Sequence, residues 1–74
     1  MRERYVIRAV YDTGVGLRSY PLGADLSGTP DHDRRPDAYG VYCVNDDGTQ
    51  TWVQDLRSFV GARRAVRRLR RRAH

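Results

Sequence analysis

The chain has 74 residues, 39% of them hydrophobic and 31% charged, and a formal net charge of +5. That is room for one modest core and no second domain. The single cysteine, Cys43, excludes an intramolecular disulfide and a cysteine-based structural zinc site. All fourteen basic residues are arginine, a choice that a GC-rich genome explains without reference to function. Codon bias does not explain where they sit. From Arg57 to Arg72 there are eight arginines and no acid, a charge of +8, whereas residues 1–56 carry −3. A basic end joined to a mildly acidic body is the pattern of a protein that docks on something anionic through one element. A core of this size often supplies only about 3 to 5 kcal/mol, which makes a homodimer a reasonable expectation.

In chain order, residues 4–12 (RYVIRAVYD) are rich in β-branched and aromatic residues with two interleaved faces, Tyr5, Ile7, Ala9 and Tyr11 against Val6, Arg8, Val10 and Asp12. The alternation predicts a strand. Thr13 to Gly16 form a turn, and residues 17–22 return as a shorter second strand weakened by Pro21. Residues 23–38 have the composition of a loop, long for so small a domain and therefore either mobile or functional. Within it, Asp31, His32 and Asp33 set a carboxylate beside a histidine, which could orient a base or bind a metal. Adjacent residues in one loop rarely converge on an ion, so a solvated surface cluster is the expectation.

Residues 39–45 (YGVYCVN) and 49–55 (TQTWVQD) are two further strands around Asp46, Asp47 and Gly48, a strong hairpin signal because Gly48 can take a positive φ. Gly40 marks a bulge or a close backbone contact. Ser58 is the candidate N-cap of a helix over residues 59–72. Its apolar positions Phe59, Ala62, Ala65, Val66, Leu69 and Ala73 share one face, and Gly61 weakens its first turn by roughly 1 kcal/mol relative to alanine. The predicted fold is α+β, a small antiparallel sheet of three to four strands with one C-terminal helix packed on a face.

On the other helix face, Arg63, Arg67 and Arg70 form one row and Arg64, Arg68 and Arg71 another. These six are the candidate anion-binding residues. Their guanidinium groups could neutralise phosphates along a groove or a single strand, meet an acidic protein surface, or simply be solvated. Tyr5, Tyr11, Tyr39, Tyr42 and Trp52 all lie in strands; core packing against the helix is the expected fate, with base stacking on an open face the alternative. No phosphate-binding glycine loop, zinc-ligand spacing or nucleophile elbow occurs. We therefore expect no enzyme, no catalytic residues, no metal site and no cofactor. No apolar run approaches the roughly 20 residues of a membrane span or forms a signal peptide, so a soluble cytoplasmic protein is expected.

The stretch from Tyr39 to Leu69, YGVYCVNDDGTQTWVQDLRSFVGARRAVRRL, resembles a hairpin-then-helix pattern in small proteins of phages and mobile elements. Tyr39, Tyr42, Asp47, Gly48, Trp52, Val53, Asp55, Ala62 and Ala65 occupy the matching places. Helices in that pattern are commonly acidic or mixed in charge, whereas this one is basic. By its size and concentrated charge the chain also resembles anti-CRISPR proteins in type. That resemblance implies an inhibitor that docks on a host protein or nucleoprotein complex in the host cytoplasm and hinders nucleic-acid engagement. The alternative expectation is an accessory protein that binds DNA or RNA directly through Arg63, Arg64, Arg67, Arg68, Arg70 and Arg71.

Overall fold

A computed structural model describes residues 4–72. Four strands, β1 (Arg4–Asp12), β2 (Leu17–Pro21), β3 (Ala38–Val44) and β4 (Gln50–Leu56), precede one helix, α1 (Phe59–Arg72). The strands form a single antiparallel sheet in the order β2-β1-β3-β4, and α1 packs mainly on β3. The fold is α+β with one C-terminal helix on the sheet. The predicted second strand is one residue shorter at its end, because the chain turns out of the sheet at Pro21, where the Ala24 N–H donates to the Pro21 carbonyl at 3.1 Å. β3 and β4 each begin and end one residue away from the predicted limits. Ala73, predicted as the last apolar position of the helix, lies outside the described residues.

Local chemistry accounts for each connection. At the tip of the β3–β4 hairpin the Gly48 N–H donates to the Asn45 carbonyl at 2.9 Å and the Asn45 N–H to the Thr49 carbonyl at 2.8 Å. Gly48 sits at φ +87°, where an L side chain would be strained. The helix starts where Ser58 Oγ accepts the Gly61 N–H at 3.0 Å, the N-cap bond that the sequence predicts. A Cβ on Gly61 would lie 3.1 Å from that same hydroxyl, so the glycine keeps the cap uncrowded.

Tyr5, Ile7, Tyr39 and Val41 line the sheet face under the helix, where fully buried Val41 packs with Ala62, Ala65 and Val66. Val53, Leu56 and Leu69 close the edges of this cluster. The small alanines let the helix come close to the strands, and Phe59 leans edge-on against Tyr39 at 5.8 Å between ring centres. The other half of the same face is covered by the connection between β2 and β3, over Tyr11 and Tyr20.

That connection is ordered around Asp31, and the expectation of a solvated cluster at residues 31–33 is corrected there. Asp31 is completely buried, while His32 and Asp33 remain exposed. The reason is partner supply. Arg18 and Tyr20 point from β2 to the same side as Tyr11, and both donate to the Asp31 carboxylate, Arg18 Nε at 2.9 Å and the Tyr20 hydroxyl at 2.9 Å. Arg34 Nη1 adds a third side-chain donor at 2.9 Å. Hydrogen bonds from Arg18 hold the Asp31 carboxyl down at about 2 despite its burial. Arg34 also spans to Asp37 Oδ2 (3.0 Å) and the Asp12 carbonyl (3.1 Å), so one guanidinium pins the loop to the end of β1.

Two aromatic residues expected against the helix stand on the other face, Trp52 because of a bulge in β4 and Tyr42 because it alternates with core-facing Val41. Val41 pairs with Gln54 but Tyr42 pairs with Trp52, leaving Val53 as the extra residue of β4. Val53 joins the core under the helix, and Trp52 moves to the face that carries no helix. Tyr42 and Trp52, both expected to pack against the helix, stand instead on the open face, with Trp52 57% exposed. Gly40 is neither the bulge, which follows one residue later, nor a backbone contact: what crowds it is side chain. A Cβ there would meet Tyr42 Cε1 at 2.8 Å, Asp55 Oδ1 at 3.0 Å and Val10 Cγ2 at 3.2 Å.

Candidate functional site

The apolar stripe of α1 faces the sheet, and that fixes where its arginines go. Arg63, Arg64, Arg67, Arg68, Arg70 and Arg71 are all exposed, spread along a helix of fourteen residues that extends about 21 Å at 1.5 Å per residue. The structure brings all six predicted site residues onto one surface, divided between the two flanks of the helix.

On one flank Arg63, Arg67 and Arg70 border a groove of about 290 Å³ with an apolar floor of Tyr5, Ile7, Leu22 and Phe59. Arg63 lies over the Phe59 ring at 5.8 Å. On the other flank Arg64, Arg67, Arg68 and Arg71 surround a shallower depression of about 520 Å³ floored by Leu56 and Gly61. Arg67 borders both. Sequence reasoning missed Arg72, which lines a third recess with Gln54 and Arg68; its spacing of four from Arg68 is the signal that includes it.

Among the described residues no carboxylate forms an ion pair with any of these arginines, and Asp31 and Asp37 are committed to Arg18 and Arg34 instead. The first turn of the helix carries no acid, and Arg70, Arg71 and Arg72 occupy the last turn. Cations there are favoured by the helix dipole, but pairs such as 63/67, 64/68 and 67/71 repel one another. The site is thus a dense positive field on one helix with no counter-charge among the described residues, and an external anion relieves its repulsion.

Among the described residues no three His, Cys, Asp or Glu side chains are grouped to hold a metal ion, and Cys43 is a half-buried free thiol on β3. No helix among the described residues is long and apolar enough to cross a membrane. Fold and site together define a small α+β protein that presents a basic helix. Comparison with protein-family models, with curated proteins and with solved structures finds no match to the chain.

Proposed function

We propose that the chain is a non-enzymatic binding protein that seats α1 on the phosphate backbone of a nucleic acid. The observation that carries this reading is the display of Arg63, Arg64, Arg67, Arg68, Arg70 and Arg71 along both flanks of one helix with no ion-pair partner among the described residues. An α-helix with its side chains is about 10 to 12 Å across, which suits a duplex major groove about 12 Å wide. In that groove both arginine flanks meet phosphates at once. Such contacts position a protein without reading sequence, so broad affinity with little base preference is expected.

The test is fluorescence anisotropy of labelled duplex and single strand over a salt series. Affinity should fall steeply with salt, and the triple variant Arg63→Gln, Arg67→Gln, Arg70→Gln should flatten the log–log slope by up to roughly 2.7, at about 0.9 per neutralised phosphate. Absence of binding near physiological salt refutes the reading.

A second reading is favoured by the groove beside Arg63, Arg67 and Arg70, whose floor of Tyr5, Ile7, Leu22 and Phe59 is apolar. Aromatic residues mixed with arginine are the composition of protein–protein hot spots. In this reading the chain is a phage or mobile-element inhibitor of anti-CRISPR type that docks on a host protein or nucleoprotein and hinders nucleic-acid engagement. It requires a complex of defined stoichiometry whose formation lowers the host factor's own affinity for nucleic acid, and recovery of no such complex from host lysate counts against it.

A further inference from the structure

The sheet face opposite the helix is left without a cover. It carries a groove of about 320 Å³ lined by Val10, Leu17, Ser19, Tyr42, Trp52 and Asp55, with Leu17 65% and Trp52 57% exposed. Across this groove runs one row of paired residues, Arg8 on β1, Gly40 on β3 and Asp55 on β4. The row sets a cation and an anion on either side of the glycine, over which the Tyr42 ring lies, and the two do not pair with each other. Arg8 donates to Ser19 and stacks over Tyr42 at 5.9 Å, and Asp55 accepts the Trp52 indole N–H at 3.0 Å. Both remain without an ion-pair partner among the described residues.

We infer that this face is the contact between two copies of the chain, packed sheet on sheet about a two-fold axis parallel to β3. That operation lays the β1 of one copy over the β4 of the other. It sets Arg8 against the second copy's Asp55 and Asp55 against the second copy's Arg8, with the two Tyr42 rings meeting on the axis. A patch with a plus and a minus charge placed symmetrically about its centre is complementary to itself, which is what an isologous interface requires.

In the dimer the two arginine helices lie on opposite outer faces, on the order of 30 Å apart across three layer spacings. If the helix binds phosphate backbone as proposed above, the dimer is bivalent and joins two polyanionic segments.

Sedimentation equilibrium without any nucleic acid tests the dimer independently of that reading. Trp52 is the only tryptophan, so its emission should shift to the blue as concentration rises and the mass doubles. Trp52→Arg, at a position already exposed in the single chain, should stay folded and sediment as a monomer. Asp55→Arg should also be monomeric, and the double variant Arg8→Asp, Asp55→Arg should restore association. A monomer up to millimolar concentration overturns the inference, as does a dimer that survives both single substitutions. A Trp52 shift that requires added duplex overturns it too, since the occupant of the face would then be nucleic acid. With two differently labelled duplexes, the wild-type dimer should bring the labels together and Trp52→Arg should bind each without doing so. A dimer that binds duplex but never joins two overturns the back-to-back placement of the helices.

Discussion

At position 31 a carboxylate with no exposed surface receives hydrogen bonds from Arg18, Tyr20 and Arg34, and it ties β2 to the loop that follows it. Asp31→Asn keeps the shape and removes the charge, which leaves the partly buried Arg18 guanidinium without its counter-ion and Arg34 with Asp37 alone. The variant should melt at lower temperature and be cut faster by protease within residues 23–37. The sign of its pH dependence follows from the shift. The folded carboxyl titrates near 2 against an ordinary 3.8, so the unfolded chain takes up the proton first. Its stabilisation is fully present above the ordinary value and is lost as pH falls from about 4 toward 2. The difference in melting temperature between wild type and Asp31→Asn should therefore be widest above about pH 4 and shrink below it. Other acids common to both proteins cancel in that comparison. Gly40 sets a second residue-scale expectation. Because an added methyl group would lie 2.8 Å from the Tyr42 ring and 3.2 Å from buried Val10, Gly40→Ala should cost about 1 to 3 kcal/mol in urea unfolding.

Among the elements, those set by nearest neighbours were legible and those set by distant partners were not. The period of two in residues 4–12, the Asp47-Gly48 turn and the apolar stripe from Phe59 to Leu69 each state their own conformation within a few residues, and all three stand in the structure. The six site arginines were legible for the same reason, since the stripe that meets the sheet dictates which residues remain outside. Asp31 was not, because its partner Arg18 stands thirteen residues away and only the antiparallel return of β2 brings the two together. The one available hint is that Arg18 and Tyr20 share a face of β2 and both need a polar partner above the sheet. Trp52 was misplaced because a period-two reading carries no trace of the bulge at Val53, and one extra residue exchanges the two faces. For the helix itself, Ser58→Ala removes the only side-chain cap seen at its start and should cost about 1 kcal/mol. Circular dichroism should show the loss at the helix while the hairpin is unchanged.

For the whole molecule the decisive property is that positive charge is gathered on the element with the least hold on the rest. The helix meets the sheet through a few small and aliphatic side chains, whereas the strands are joined by continuous ladders. Mutual repulsion among seven exposed arginines from Arg63 to Arg72 opposes that docking, and neither Asp31 nor Asp37 is free to offset it. Salt should therefore act with opposite signs in two experiments on the same protein. Alone, the protein should melt at higher temperature as sodium chloride is added, because screening weakens the repulsion along the helix. With duplex at about a hundred times its dissociation constant, binding to the folded state adds about 2.7 kcal/mol, roughly 10 to 20 °C in Tm for a domain of this size. That increment should shrink as salt rises and releases the duplex. A helix that was merely solvated would show the first effect without the second. One already neutralised within its own fold would show neither, so a single pair of thermal scans separates a docking surface from a charged but idle one.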